Sequence, residues 1–463
     1  MNRIKRIRLK LAVLTGMCFG LLCGVIVIDS PAMAACTGSS PTWTSTPDVA
    51  SVSTCVSSAS TGDTVNVSAG SATWSSGLTI TKNLSLIGAG IGNTVITANT
   101  GTLISYTLTN NATLARVSGF TFNMGGSNCA MDVSGSTVAL GSKLDRIRID
   151  HNRFTNTTCT SSNGNLNFTN AWGVVDHNTI DNVRVAWRAW GTGTGANNWS
   201  IWGDINLGTD QTLWFEDNTI TLNGSSYMVA DCDLAGRYSA RYNSLAGTSI
   251  PFPWFDWHGW TSSGNQGCFG GEVYGNIFSS NGGPMISQRG GRAMIFYNST
   301  TSGVPAYNVY NNNGCPGDER QKINNTYVWN NRNGNTGGRG GWQSTGGDNC
   351  GTAVVENSTF WIDGSNATGV GVTNGVGAGT LAARSATCMT GVGYWATDQS
   401  ITDLTGMVGP NPTTPISGTL YKCTSTNTWT SYYTPFTYPH PLTRITASTD
   451  GAPPSPPQGL RIQ

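Results

Sequence analysis

The stretch Ile149-Asp-His-Asn152-Arg-Phe154 decides the fold, because its pattern of apolar-x-x-Asn-x-apolar returns along the chain. The clear copies are Val175-Asp-His-Asn178-Thr-Ile180 and Phe215-Glu-Asp-Asn218-Thr-Ile220, and weaker ones cover Ala240–Leu245, Val273–Phe278 and Ile295–Thr300. Successive asparagines lie 22 to 40 residues apart, and the segments around them lack helical periodicity. A repeat of this length built from short strands is typical of a solenoid.

Each copy places two apolar side chains on either side of a polar bend. Asn suits such a bend because it tolerates left-handed dihedrals and hydrogen-bonds neighbouring backbone. Bends stacked coil upon coil would form a ladder of asparagines. We therefore predict an all-β fold, a right-handed single-stranded parallel β-helix with an N-terminal capping helix and a C-terminal cap.

The composition agrees with a rod that grows by adding coils. The chain has 463 residues, 60 of them Gly, and only 11% are charged. That length exceeds what one compact core usually supports, whereas a solenoid has no such limit. Low charge together with 38% apolar residues argues against a disordered chain.

The first 34 residues are predicted to be an export signal. Five Lys and Arg residues precede an apolar core at 11–28, and Ala32-Met33-Ala34 offers a small-residue cleavage site. The apolar core is long enough to serve as an uncleaved membrane anchor, which is the competing interpretation. A third interpretation is lipidation at Cys36, because Met33-Ala-Ala-Cys36 faintly resembles a lipoprotein box.

Charge and cysteine content narrow the class of protein further. Without residues 1–34 the chain keeps 20 basic and 23 acidic side chains, and it has no basic stripe of the kind that nucleic acid requires. Ten cysteines remain, an even number that predicts disulfides in an exported chain. Pairing of near neighbours gives Cys36–Cys55, Cys129–Cys159, Cys232–Cys268, Cys315–Cys350 and Cys388–Cys423, although sequence alone does not fix the connectivity.

Five segments follow from these patterns. They are a signal peptide at 1–34, an N-terminal cap at 35–60, the β-helix at 61–384, a C-terminal cap at 385–444 and a flexible Pro-rich tail at 445–463. In the N-terminal cap, residues 47–59 have apolar positions at helical spacing after Pro47. We expect a helix there that covers the first coil.

The opening of the rod resembles that of bacterial pectate-lyase-like parallel β-helix proteins. The features that carry the resemblance are the short capping helix, the strand Gly62-Asp-Thr-Val65 and a later strand that ends in Gly88-Ala-Gly90. With the Asn-bearing coils, the resemblance covers about residues 45–365. It implies the fold much more specifically than it implies an activity.

The strand segments that follow each hexad carry the candidate site, because this family places its substrate groove on that face. If the strand ends align, Arg188, Asp231, His258 and Arg289 fall on successive coils, about 4.8 Å apart. Four tryptophans accompany them and could stack on sugar rings. These are Trp187, Trp190, Trp257 and Trp260, and Asp256 and Arg292 complete the candidate set.

Elimination on an acidic polysaccharide needs a cation beside the carboxylate, a base and an acid. We predict His258 as the base or acid, with Arg188 and Arg289 binding substrate charge and Arg292 adding to the binding surface. Asp231 and Asp256 would orient the imidazole or ligate a cation such as Ca²⁺. Asp231 or Asp233 with Asp256 would also suit a glycosidase, which needs two facing carboxyls.

Other interpretations remain open at this point. Polar columns arise by default on a β-helix face, the tryptophans could be packing residues, and the Asp-His pairs at 150–151 and 176–177 are expected to form turns. The Arg-x-Pro-x-x-Arg stretch of many pectate lyases is missing.

The sequence thus predicts a carbohydrate-active protein that is secreted or held at the cell surface. It would act on a polysaccharide as a lyase, with a glycoside hydrolase or a non-enzymatic adhesion rod as alternatives. We expect no nucleic-acid partner and no membrane contact after signal cleavage, and the sequence predicts no oligomeric state.

Overall fold

Three long parallel sheets form the body of the molecule, as seen in a computed structural model. The model describes residues 35–444 apart from 110–111, 126–128, 136–145, 157–158, 160–163, 192–205, 223–227, 248–252, 260–265, 280–284, 302–305, 310–320, 337–340, 345–352, 364–367 and 399–405. The predicted signal peptide and Pro-rich tail therefore lie outside the described residues. In the part that is described, one sheet has 13 strands and two have 10 each.

From Thr64 to Ser344, successive strands enter sheets A, B and C in turn and pair in parallel between coils, which defines a parallel β-helix. Cys36–Ser39 precedes this pattern and pairs antiparallel with Thr42–Ser45 at the end of sheet A. Sheet A contains Cys36–Ser39, Thr42–Ser45, Thr64–Val67, Ser85–Gly88, Ala115–Ser118, Arg146–Asp150, Trp172–Asp176, Leu213–Glu216, Tyr238–Arg241, Gly270–Tyr274, Arg292–Phe296, Thr326–Trp329 and Phe360–Ile362. Sheet B contains Gly70–Trp74, Thr94–Ala98, Thr121–Met124, Arg153–Thr155, Thr179–Asp181, Thr219–Leu222, Ser244–Gly247, Ile277–Ser279, Ser299–Thr300 and Arg332–Asn333. Sheet C contains Leu78–Ile80, Thr102–Thr107, Cys129–Ser134, Leu166–Thr169, Val185–Trp190, Met228–Asp233, Phe255–Trp257, Ile286–Gln288, Ala306–Val309 and Gly341–Ser344.

The asparagines of the hexads form the predicted ladder, at the corner between sheets A and B. The backbone N–H of Asn178 donates to Asn218 Oδ1 at 3.0 Å, and that of Asn218 donates to Asn243 Oδ1 at 3.0 Å. Equivalent bonds of 2.9–3.1 Å link Asn152, Asn178, Asn218, Asn243, Asn276, Asn298 and Asn331. The ladder also includes Asn331. The hexad pattern did not identify that residue, because polar Asn333 occupies the position where the pattern requires an apolar residue.

One of the two reasons given for asparagine at this bend, its tolerance of left-handed dihedrals, was wrong, whereas its hydrogen bonds to neighbouring backbone are confirmed. The left-handed residue is the one before each ladder asparagine, with φ of 52° at His151, 55° at His177 and 58° at Asp217. The asparagine itself contributes its amide, which meets backbone groups of two coils. The turn role predicted for the two Asp-His pairs is confirmed, and the imidazoles of His151 and His177 stack with centroids 5.1 Å apart.

The N-terminal cap is the predicted helix, which spans Val49–Ser58. Asp48 caps it, since its side chain accepts from the Ser51 N–H at 2.8 Å. Val52 and Val56 are buried against the first coil and extend the core over the open end of the rod. This cap removes the exposed coil end that would otherwise pair with other chains.

A four-stranded sheet forms the C-terminal cap, and it begins before residue 385. Its strands are Val376–Gly379, Gly393–Ala396, Thr419–Ser425 and Thr428–Tyr433. Short 3₁₀ helices at Leu381–Ala383 and Pro441–Arg444 complete this region.

The segment after this sheet packs on the outer face of sheet A. Arg241 is fully buried there, where it pairs with Glu216 at 2.6 Å and donates to the carbonyls of Phe436 and Thr437. Aromatic rings continue the contact, with Trp214 of sheet A stacked on Phe436 at a centroid distance of 5.5 Å. This part of sheet A is therefore covered, whereas the outer face of sheet C, considered below, keeps solvent-accessible side chains such as Arg188 and Trp190.

Four of the five predicted disulfides are confirmed. They are Cys36–Cys55, Cys129–Cys159, Cys232–Cys268 and Cys388–Cys423, while Cys315 and Cys350 lie outside the described residues. The Cys36 sulfur is thus bonded to Cys55, which excludes a lipid thioether at that atom. Four disulfides indicate folding in an oxidising compartment. Among the described residues, no helix has the length and apolar character needed to cross a membrane.

Replacing Asn218 with Ala should destabilise the rod. The Asn178 N–H would lose its acceptor in a buried corner, at a cost of about 1–3 kcal/mol. Urea unfolding followed by circular dichroism measures the change, and Thr219→Ala on the exposed neighbour is the matched control. Equal stability of the two variants would show that the ladder contributes nothing measurable.

Candidate active site

The candidate residues lie on the outer face of sheet C, as strand alternation requires. Side chains two residues apart on a strand share a face, so Arg188 and Trp190 point outward while Trp187 points into the core. Register pairs Arg188 with Asp231 and Asp231 with Asp256 on successive coils. An outward column of charged groups therefore runs along the rod.

The predicted single column is in fact two. Trp190 pairs with Asp233, and the backbone bonds His258 N–H to Cys232 O and Arg289 N–H to Trp257 O continue that pairing past the strand ends. His258 and Arg289 therefore follow Trp190 and Asp233, two residues beyond the column of Arg188, Asp231 and Asp256. The prediction joined Arg188 and Asp231 of the first column to His258 and Arg289 of the second and so missed the two-residue offset.

Two ion pairs stabilise the columns, one within the first column and one between the two. Arg188 Nη1 lies 3.1 Å from Asp231 Oδ2, and Arg289 Nε donates to Asp256 Oδ1 at 3.0 Å. Nη2 of Arg289 donates to the other oxygen of Asp256, which makes the pair bidentate. Both carboxylates are almost fully buried, and the guanidinium groups retain 12% and 15% exposure. Each buried acid thus has a cationic partner, as burial of charge requires.

His258 lies between these pairs and is the most exposed member, with 29% of its side chain accessible. Its Nδ1 contacts Arg289 Nη2, which is a donor only, so Nδ1 is the acceptor and Nε2 carries the proton. The same Nδ1 lies 3.8 Å from both Asp231 Oδ1 and Asp256 Oδ2, too far for a hydrogen bond. Asp231 Oδ1 is buried without a hydrogen-bond partner.

That unsatisfied oxygen gives His258 a second available arrangement. A proton on Nδ1 would break the contact with Arg289 and bring the imidazole toward Asp231 Oδ1. Burial lowers the pKa of His258, but the carboxylates of Asp231 and Asp233 outweigh burial and Arg289 together, so this pKa lies above its ordinary value. The imidazole is thus placed to change its proton position without leaving the site.

The pKa values of two neighbouring carboxyl groups, those of Asp233 and Asp256, are also raised. Burial raises the pKa of Asp233 to about 6, and Asp231 adds to the effect while His258 and Arg289 oppose it. Burial also raises the pKa of Asp256, although Arg289 counteracts it. A half-buried acid that titrates near pH 6 is suited to donate a proton.

Asp231, Asp256 and His258 also form a candidate cation site, since each offers one ligating atom within 4.8 Å of the others. Two oxygens and an imidazole nitrogen suit zinc better than calcium, which prefers oxygen ligands alone. Arg289 donates to both Asp256 and His258, so its guanidinium already fills the position between them. A metal would have to displace that side chain, and the Ca²⁺ expectation is poorly matched by these residues.

The tryptophan platform is largely wrong. Trp187 and Trp257 are fully buried, and Trp187 stacks on Phe215 with centroids 3.8 Å apart. Trp190 alone has the predicted place, half-exposed with Arg188 Cζ 5.5 Å from its ring centroid. Trp260 lies outside the described residues.

Arg292 was also misplaced, because it begins a strand of sheet A. The turn at Gly290 and Gly291, where Gly291 has φ of 70°, carries the chain around the corner from Arg289. Arg292 Nε donates there to Asn324 Oδ1 at 2.9 Å.

A shallow groove of about 460 Å³ adjoins the cluster along sheet C. Its lining includes Trp190, Asn167 and Asp132, with Asn167 Nδ2 donating to Asp132 Oδ1 at 2.7 Å. Asn167 follows the hexad of Asn152 as Arg188 follows that of Asn178. The same rule applied one coil earlier would have found it.

These features define a parallel β-helix protein with an ionisable cluster beside an open polar groove. No protein-family model, curated protein or solved structure matches the chain. The fold therefore rests on its sheet topology, and the function must be argued from the cluster.

The pKa of His258 provides a direct test of the cluster. Asp231→Asn should lower it, because that carboxylate favours the imidazolium, and Arg289→Met should raise it by removing a positive charge. Titration of the imidazole resonances by NMR, assigned with His258→Gln, measures both shifts. Asp181→Asn, which removes the partner of Arg153 on sheet B, is the control. Identical titration in all variants would refute the proposed coupling.

Proposed function

We propose that this protein is an exported glycoside hydrolase that cleaves a polysaccharide bound along the outer face of sheet C. The observation that carries the proposal is the convergence of Asp231, Asp233 and Asp256 with His258 at the end of an open groove. Three neighbouring carboxyl groups, each with a different electrostatic environment, provide both an acid and a base.

The backbone positions of Asp233 and Asp256 are compatible with the carboxyl separation of an inverting mechanism. They sit one coil and two residues apart, which a strand spacing of about 4.8 Å and a rise of about 3.3 Å per residue turn into a diagonal of about 8 Å. Inverting enzymes keep their carboxyls about 6.5–9.5 Å apart to admit a water molecule. Asp233 is assigned as the acid and Asp256 as the base.

The cluster favours hydrolysis over elimination for two reasons. Arg188 and Arg289 are each engaged with an aspartate, so neither guanidinium is uncommitted for a uronate carboxylate. His258 carries its proton on Nε2, so the nitrogen away from Arg289 is a donor and not a base. We assign that N–H to a substrate hydroxyl and Trp190 to the face of a sugar ring.

Export is part of the proposal and rests on two observations. The first is the signal-like sequence at 1–34, and the second is the set of four disulfides, which forms in oxidising surroundings. A secreted or surface location would place the enzyme where polysaccharides are found.

Asp233→Asn and Asp256→Asn should each lower kcat by about 10²–10⁴, the usual contribution of a general acid or base. Reducing-sugar release from a panel of neutral and acidic polysaccharides measures the loss, and Asp181→Asn is the control. Proton NMR of the first product should show the inverted anomer. An unsaturated product absorbing in the ultraviolet would instead establish elimination, and silence across the panel would favour an adhesion role.

Activity should fall as the pH rises through about 6. Asp233 must be protonated to donate, and its pKa of about 6 sets the upper limit of the active range. Asp231→Asn should move that limit to lower pH, because Asp231 helps to raise the pKa of Asp233. A kcat–pH profile of each variant measures the limit, and an unchanged profile would remove Asp233 from the acid role.

A further inference from the structure

A second pocket, of about 260 Å³, lies where sheet A meets the C-terminal cap. Its lining includes Arg292 and Met294 from sheet A, Asn206 and Leu207 from the loop before the strand Leu213–Glu216, and Tyr432 from the cap. No residue of the proposed hydrolytic cluster lines it. The pocket therefore calls for an explanation of its own.

One cation, Arg292, lines this pocket, and a second, Lys422, lies against Tyr432, which is another of the lining residues. Arg292 is half-buried in its wall, and the Lys422 ammonium lies 5.2 Å from the ring centroid of Tyr432. Within the described part of the chain, neither side chain has a carboxylate within ion-pair distance. Burial and the charge of Arg292 lower the pKa of Lys422, so the two positive groups are close enough to repel.

Neutral side chains hold the two cations in place. Arg292 Nε donates to Asn324 Oδ1 at 2.9 Å, Asn325 Nδ2 donates to the same oxygen at 2.9 Å, and Lys422 Nζ donates to Asn325 Oδ1. These amides give each cation one hydrogen-bond acceptor, but because they are uncharged they do not neutralise the positive charge of either cation. The terminal nitrogens of Arg292 have no acceptor among the described residues.

Glu272, on the strand next to that of Arg292, does not neutralise either cation, because its carboxyl group has other partners. Glu272 stands opposite Met294 in the sheet register, but it is fully buried and accepts from the Tyr433 hydroxyl and from the Gly208 N–H at 2.8 Å. Burial raises its pKa to about 7, which reduces its negative charge further.

We propose that Arg292, Lys422 and Tyr432 form a binding site for an oxyanion, the carboxylate, sulfate or phosphate group of a small ligand. A guanidinium offers two parallel N–H groups to such an anion, and an ammonium adds a point charge. The anion would relieve the repulsion between two partly buried cations. Arg292 lies on sheet A of the β-helix and Lys422 lies on the C-terminal cap. A bound anion would therefore also link the β-helix to its cap.

Calorimetric titration of the full-length protein with phosphate, sulfate and glucuronate tests the site, at ionic strength held constant with chloride. Wild type should bind at least one of the three saturably, and Arg292→Met and Lys422→Met should each weaken that binding at least about tenfold, the effect of losing one charged hydrogen bond. Arg153→Met, which removes a surface cation on sheet B, should bind as wild type does. Preference for phosphate or sulfate would mark a tetrahedral anion, and preference for glucuronate a sugar acid.

Circular dichroism in chloride establishes that each variant is folded. Arg292→Lys and Lys422→Arg, which keep both charges and should bind more tightly than the Met variants, cover the case in which a Met variant does not fold. Equal binding by wild type and Arg292→Met, or no saturable binding of any of the three anions, would overturn the proposal. Because the hydrolytic assay uses Asp233 and Asp256, its failure and that of this site would be separate results.

Discussion

The stacking of the coils from Asn152 to Asn331 depends on one buried amide per coil. Each ladder asparagine accepts from the backbone of the coil before it and donates to carbonyls of its own and a neighbouring coil, as Asn218 does toward Asn178 and Val175. Such a group has no alternative partner inside the rod, so a slip of register would leave polar atoms unpaired in an apolar interior. The ladder therefore fixes how coils stack, however long the loops between strands become. Fixed stacking is also what brings Arg188, Asp231 and Asp256 into one column on sheet C.

Charged side chains have different surroundings on the outer faces of sheets A and C. On sheet A, Arg241 and Glu216 are sealed beneath the returning C-terminal segment, where their pairing stabilises an internal contact. On sheet C, the pairs Arg188–Asp231 and Arg289–Asp256 retain access to solvent and surround an imidazole that has two arrangements. A sealed pair is inert, whereas a pair at the edge of a groove can exchange protons with a bound molecule. This difference in access, more than residue type, is the reason that we propose sheet C as the site of the chemistry.

Sequence reasoning reached the fold because the hexad carries both the turn and its flanking apolar positions, and it reached four disulfides because stacked coils bring near neighbours together. It identified most members of the site for the same reason. It failed where strand ends had to be known: the column was drawn two residues out of register, and Trp187 was placed outside although it alternates with Arg188. Arg292 was lost to the corner at Gly291, where three residues of sequence separate two faces. Partner choice, such as Arg289 with Asp256, depends on three-dimensional proximity that spacing does not encode.

The closing contact of Arg241 with Phe436, made across almost 200 residues of chain, has a kinetic consequence. A solenoid coil needs only the coil before it in order to form, so the rod can assemble as the chain is synthesised. The aromatic face around Phe296 and Trp329 must then wait for a segment that has not yet been made. At about 5–20 residues per second, the delay for the Arg241 coil is roughly 10–40 s. A rod whose C-terminal segment has not yet docked would therefore expose this aromatic face, and docking of residues 415–444 would bury it.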